Sequence, residues 1–195
     1  MTFHLRNDVS IGDPLTAALG FLERWTVQPA DASGPATFGE LDLRLANRGG
    51  ARISAAEIAA ILERRGAIER ALRTIAPDAS LARPRVAWEP LNDLFNAFAD
   101  IRGVGLSKMT KALHPKRPAL IPMLDSVVQR YLQDDDLGAK APFGERAVAL
   151  VRGYKRDLDR NRNELRTLRQ ELAKRGYEVA QVRILDLLIW SAEAG

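Results

Sequence analysis

The chain has 195 residues, of which 46% are hydrophobic and 28% charged, with a formal net charge of +4. That length fills one good core, so a single domain over residues 1–195 is expected. Zero cysteines exclude disulfides, thiolate catalysis and iron-sulfur ligation, and two histidines as far apart as His4 and His114 do not make a zinc site, so neither a metal nor a resident cofactor is expected.

No apolar run approaches the length of a membrane span, and the opening "MTFHLRNDVS" lacks the basic-then-apolar pattern of a secretory signal, so a cytoplasmic protein without membrane contact is expected. The basic excess is local. Residues 143–183 carry 11 Lys/Arg against 6 Asp/Glu, whereas residues 1–142 carry 18 against 17. Such a surplus is either a solvated helix face or a surface for a polyanion.

Helical punctuation runs the length of the chain and strand-like alternation is scarce, which predicts an all-α fold. Asp13 before Pro14 reads as an N-cap followed by proline at the first helical position, opening "PLTAALGFLERWTV". Thr37 with Glu40, and Ser54 with Glu57, have the spacing of a capping box. Gly49-Gly50 and Gly66 read as stops or kinks, and "DASGPAT" at 31–37 and the segment from Pro77 to Pro84 read as loops. After Trp88, "EPLNDLFNAFADI" sets Leu91, Leu94, Phe95, Phe98 and Ile101 on one helix face.

Farther on, Val151, Tyr154, Leu158, Leu165, Leu168 and Leu172 recur at heptad-like intervals, with Asn161 in one seam position. They predict one long basic helix over about 143–175, roughly 45 Å in length at 1.5 Å per residue. A terminal helix follows with Val179, Val182, Leu185 and Ile189 on one side. The two helices pair within the chain or form a homodimer seam, and the pattern fits both.

Chemistry concentrates in "IRGVGLSKMTKALHPKRPALIPMLDSVVQRYL", residues 101–132. Gly103-Val104-Gly105 separates two helical segments and lets the backbone turn tightly while its amides approach another surface. A helix beginning near Leu106 points its free N–H groups at the hairpin, with Lys108 and Lys111 one turn along, an arrangement that suits a phosphate. Many helical hairpins use glycine only to reverse direction. Asp125 stands directly before an apolar helical pattern, where it is either a cap or a reacting carboxylate. Trp25, Trp88, Tyr131 and Trp190 are aromatic candidates for a pocket wall, although isolated tryptophans read first as core residues, and none is singled out.

"GVGLSK" and "DSVVQR", with Asp125 twenty positions after Gly105, resemble the helix-hairpin-helix DNA glycosylase superfamily. The resemblance implies a helix-hairpin-helix over about 89–113 on double-stranded DNA. Gly103, Val104 and Gly105 would hold a backbone phosphate, with help from a monovalent cation, and Asp125 would be the catalytic carboxylate, with Arg130 on the helix behind it. Ser107 occupies the position of the Schiff-base lysine of bifunctional members, and Lys108, one residue on, points about 100° away. The resemblance therefore implies a monofunctional hydrolase without a lyase step. The insert "HPKRPALIP" would add His114, Lys116 and Arg117 as basic groups beside the phosphate site, so that Ser107, Lys108, Lys111, Lys116 and Arg117 join the hairpin as DNA contacts. "KRPALIPMLD" also resembles an uncharacterised bacterial family in which a K-R-P-x-L-I-P-x-x-D run recurs.

Overall fold

In the computed structural model of the chain, which describes residues 2–6, 8–24, 31 and 33–193, a short ribbon of β1 (Phe3–His4) and β2 (Ser10–Ile11) precedes ten α-helices. The helices are α1 (Pro14–Arg24), α2 (Glu40–Arg48), α3 (Ala55–Glu63), α4 (Arg65–Thr74), α5 (Trp88–Asn96), α6 (Leu106–Leu113), α7 (Ser126–Tyr131), α8 (Phe143–Arg160), α9 (Arg162–Ala173) and α10 (Gln181–Glu193). The fold is all-α: the ribbon, antiparallel with Phe3 opposite Ile11, is the only sheet among the described residues.

Helix starts follow the local chemistry of the sequence. Asp13 Oδ1 accepts the Thr16 N–H at 3.1 Å and Pro14 is the first residue of α1. Ser54 and Glu57 form the expected box, Ser54 Oγ accepting the Glu57 N–H at 3.3 Å and Glu57 Oε2 the Ser54 N–H at 2.8 Å. Thr37 and Glu40 do not. Gly39 caps α2 instead, its N–H donating to Asp42 Oδ2 at 2.8 Å. The displacement has a cause in Phe38, whose ring is fully buried and whose N–H is taken by Glu69 Oε1 at 3.0 Å, which keeps residues 37 and 38 outside the helix. Gly49-Gly50 ends α2 as expected, whereas the kink expected at Gly66 falls at Arg64, between α3 and α4.

The long helix is two. Asn161, at φ −105° and ψ 26°, breaks it between α8 and α9. Its side-chain amide donates to the carbonyls of His4 at 2.8 Å and Asp157 at 2.9 Å, and its Oδ1 accepts the His4 N–H at 3.3 Å. The N-terminal ribbon thus docks at the break, where the Asn161 side chain satisfies both the N–H and the carbonyl of His4. Arg6 ties the same segment down, donating to Asp157 and Asp135 at 2.7 Å each. Val151, Tyr154, Leu158, Leu165, Leu168 and Leu172 are all buried within the chain, where α8 packs on α5 and α9 on α1 and α10. The stripe that could have served as a homodimer seam closes the chain's own core.

Helix α10 is buried beyond its predicted face. Ile184, Leu187 and Leu188 join Val182, Leu185 and Ile189 in one continuous apolar cluster with α1, α5 and α8. It is therefore a central strut, and residues along it are held in fixed relation to the segment that precedes α7.

Candidate functional site

The hairpin forms where the glycines stand. Phe98 and Ile101 continue the buried face of α5, Asp100 and Gly103 take φ +60° and +82°, and the Val104 N–H returns to the Ile101 carbonyl at 3.0 Å. Gly105 is the N-cap of α6 and has no side chain with which to cap it. Val104 points into the core, so it anchors the turn, while the backbones of Gly103 and Gly105 are exposed. Gly103 takes a positive φ that favours glycine, and a Cβ there would also push the Glu57 carboxylate out of its present position. That carboxylate also binds Lys108 Nζ at 2.6 and 2.8 Å, and the lysine holds the Glu57 carboxyl below its usual range. Lys108 is therefore already paired.

The basic insert turns inward. Lys116 lies with its side chain wholly buried, its ammonium 2.5 Å from Asp31 and 2.7 Å from Asp42, with Ser33 Oγ at 2.9 Å. Arg117, also buried, donates to the carbonyls of Leu72 at 2.7 Å and Ile75 at 2.6 Å, and to that of Pro35 at 2.7 Å. Leu72 and Ile75 close α4, where orphan carbonyls and the negative end of the helix dipole favour a cation. His114 is buried too. Its Nδ1 lies 2.6 Å from the Ile121 carbonyl, so that nitrogen carries the proton, and burial lowers its pKa to about 4. The expectation that Lys116 and Arg117 meet DNA is thus corrected: both are interior groups whose charges are consumed by the 31–35 loop and the end of α4.

Asp125 begins α7. Its Oδ1 accepts the N–H groups of Val127 and Val128, both at 3.0 Å, and only 6% of the residue is exposed. The loop that delivers it is fastened from several sides. The Leu124 N–H donates to Thr110 Oγ1 at 2.9 Å, Gln129 Nε2 donates to the Leu124 carbonyl at 2.7 Å, and the Asp125 N–H donates to the Met123 carbonyl at 2.8 Å. Burial pushes the Asp125 carboxyl above the usual carboxylate range, against the opposing pull of the Val128 and Val127 amides, Lys111 and a hydrogen bond from Trp190.

The carboxyl is not sealed off. It lines a cleft of about 780 Å³ that also takes in Ser107, Lys108 and Lys111 from α6. Gly103, Val104 and Gly105 lie outside the walls of that cleft. The two parts of the motif that carry side chains, Ser107 and Asp125, therefore line one cleft.

Further residues complete the cleft. Trp190 of α10 forms a wall, with the Phe21 ring edge-on at 6.2 Å and 86°. Arg24 stacks over Phe21 at 5.8 Å. Arg48 and Arg52 stand exposed at the rim with no carboxylate partner among the described residues. Arg52 takes φ +56°, a left-handed conformation rare for a long side chain, and Lys111 Nζ donates to the Gly50 carbonyl at 3.2 Å beside it. Among the described residues that line the cleft, Asp125 is the single acidic one, beside Arg24, Arg48, Arg52, Lys108 and Lys111.

Sequence reading overlooked Arg24, Arg48, Arg52 and Gln129. The one available signal was the pair of arginines that brackets Gly49-Gly50, which the helix-stop reading absorbed. Of the aromatic candidates, Trp190 lines the cleft, Trp88 lies under Arg152 at 5.0 Å, and Tyr131 accepts the Arg6 N–H at 3.1 Å, while Trp25 lies outside the described residues. None of the cations of the cleft comes from residues 143–183. There Arg146, Lys155, Arg156, Arg160, Arg162, Lys174 and Arg175 are ion-paired to nearby carboxylates.

Residues 23–193 match the profile of a family described as a family of unknown function, DUF6308. The chain belongs to DUF6308. A search of curated proteins and a search of solved structures each gave no match. The span shared with DUF6308 runs from just before Arg24 to just after Trp190, so it contains every described residue that lines the cleft. It leaves out the N-terminal ribbon. Among the described residues, no helix of this DUF6308 chain is long and apolar enough to cross a membrane.

Proposed function

We propose that this is a DNA-binding helix-hairpin-helix protein and that its cleft receives a base turned out of the duplex, with Asp125 acting as the carboxylate of a monofunctional DNA glycosylase. The observation that carries this reading is that Ser107 and Asp125 line one cleft, in which Asp125 is the only acidic residue among the described ones. A volume of about 780 Å³ falls in the range of small-molecule sites. Arg24, Arg48, Arg52 and Lys111 supply positive charge for the flanking phosphates, and Trp190 supplies an apolar wall for a base.

In this mechanism the glycosidic bond breaks with oxocarbenium character, and Asp125 stabilises the sugar cation or accepts a proton from the attacking water. The carboxylate oxygen not engaged by Val127 and Val128 is the one that acts. Ser107 has no amine, so no Schiff base forms and the strand stays intact. The product is free base and an abasic site, as in base-excision repair.

A second reading, a non-catalytic DNA-binding module, has its own support in the cap. Asp125 Oδ1 accepts two amides at 3.0 Å, which is a full structural role. The variant Asp125→Asn separates the readings, because asparagine caps a helix about as well as aspartate yet carries no charge. Base release from duplexes bearing alkylated, oxidised or deaminated bases, lost in Asp125→Asn with DNA binding kept, supports catalysis. Binding in both proteins without base release by either supports the module.

A further inference from the structure

Beneath the loop that carries Asp125 lies a buried pair that the reading above does not use. Asp186 of α10 is 1% exposed and Tyr154 of α8 is 0% exposed. The Tyr154 hydroxyl oxygen stands 2.5 Å from the Val182 carbonyl oxygen and 2.9 Å from Asp186 Oδ1. A phenol has one proton, so it can donate to only one of these oxygens. The other contact needs a proton from the far side, and a carbonyl has none to give. The arrangement closes when Asp186 is a carboxylic acid: its O–H donates to Tyr154, and the Tyr154 O–H donates to Val182. An ionised Asp186 would instead leave the Val182 carbonyl against the phenol lone pairs at 2.5 Å. It would also bury a charge whose other oxygen meets only the Met123 N–H at 3.4 Å.

We propose that Asp186 is a neutral carboxylic acid that positions Asp125, a role that rests on the reading of Asp125 as the reacting carboxylate. The Met123 N–H is directed at Asp186 Oδ2, and the Met123 carbonyl holds the Asp125 N–H at 2.8 Å. Trp190, which hydrogen-bonds Asp125, lies one turn along α10 from Asp186 and so on the same side of that helix. Helix α10 thus grips Asp125 directly through Trp190 and from behind through Met123. The groups that act on Asp186 and its phenol are Asp125, Tyr131 and Tyr154, all acidic, and Arg183, whose charge favours ionisation. Arg183 forms no ion pair with Asp186 among the described residues. Burial, reinforced by the negative charge of Asp125, raises Asp186 to about 7 against the opposing pull of Arg183, the Tyr154 hydroxyl and the Met123 N–H. Below that midpoint, neutrality spares Asp125 the repulsion of a second buried carboxylate.

The test is a carbon-13 carboxyl NMR titration of the full chain without DNA, on wild type, Asp186→Asn and Tyr154→Phe. The Asp186 resonance is expected at its protonated position at pH 6, with a midpoint about 7. The Asp125 resonance is expected to show a second inflection at that same midpoint in wild type and none in Asp186→Asn. Asparagine can donate to Tyr154 as the acid does, so the Asp125 shift at pH 6 should be unchanged in that variant. Tyr154→Phe, which removes the partner oxygen, should lower the Asp186 midpoint or broaden its transition. An Asp186 midpoint near the ordinary 3.8, readable in wild type alone, overturns the proposal, as does an Asp125 titration indifferent to Asp186. Because no DNA is present, failure here is distinct from failure of the glycosylase reading, which appears in base release.

Discussion

Ser107 on α6 and Asp125 at the start of α7 line one cleft, although the chain between them dives through the interior with His114, Lys116 and Arg117 buried. The residue at position 107 therefore determines which chemistry is possible beside Asp125. The variant Ser107→Lys places an amine in the cleft, and it is expected to form a borohydride-trappable adduct with DNA containing an abasic site. Wild type, with a hydroxyl there, is expected to form none.

The rim arginines are expected to account for part of the salt dependence of DNA binding. Each phosphate contact contributes a slope of about −0.9 in log K against log salt. The double variant Arg48→Ala/Arg52→Ala should reduce the magnitude of that slope by about 2 and weaken binding on all duplex sequences alike. Fluorescence anisotropy between low and moderate salt measures it. An unchanged slope would place the phosphates elsewhere.

Lys116 and Arg117 should behave in the opposite way. Lys116→Met strands Asp31 and Asp42 without their cation, and Arg117→Met removes the guanidinium donor to the Leu72 and Ile75 carbonyls at the end of α4. Breaking a buried pair by removing one partner costs about 3–5 kcal/mol. Chemical denaturation is expected to show a loss of that order for Lys116→Met, with the salt slope of the residual folded protein unaltered.

Two buried groups give stability opposite pH dependences. His114 is held near 4 against an ordinary 6.5, so its contribution is complete above pH 6.5 and is lost as pH falls toward 4. Asp186 is raised to about 7 from 3.8, so its contribution is complete below 3.8 and is lost as pH rises through 7. Over the shared window the two slopes offset each other. Asp186→Asn removes the Asp186 slope, so between about pH 4.5 and 6.5 stability should climb with pH more steeply than in wild type, by up to about 1.4 kcal/mol per unit. Urea denaturation at several pH values reads the difference.

Local signals carried the fold a long way. The Asp13 cap, the Ser54–Glu57 box and the glycine turn are each decided by neighbours in the chain and stand where the sequence predicts, whereas the helix expected to reach Ile101 ends at Asn96, so that Phe98 and Ile101 are buried from the turn beyond it. Features decided by distant partners were not legible. Asn161 looks like a tolerated polar residue in an apolar seam, but its partner is His4, across the whole chain. Lys116 and Arg117 look like surface cations because prolines and basic residues usually are exposed, and the acids and carbonyls that bury them come from residues 31–42 and 72–75. The cleft was half visible. Ser107 and Asp125 belong to a recognisable spacing, whereas Arg24, Arg48 and Arg52 reach it only through the packing of α1 and the turn after α2.

The central claim is that Asp125 does chemistry and does not merely cap α7. Its most direct test is a single-turnover base-release assay on a panel of modified duplexes, with wild type beside Asp125→Asn. The account predicts release of at least one modified base by wild type, and a loss of about 100-fold or more in Asp125→Asn of the order seen when a charge-stabilising group is removed, with thermal stability and DNA affinity retained. Equal rates of release from the two proteins would contradict it.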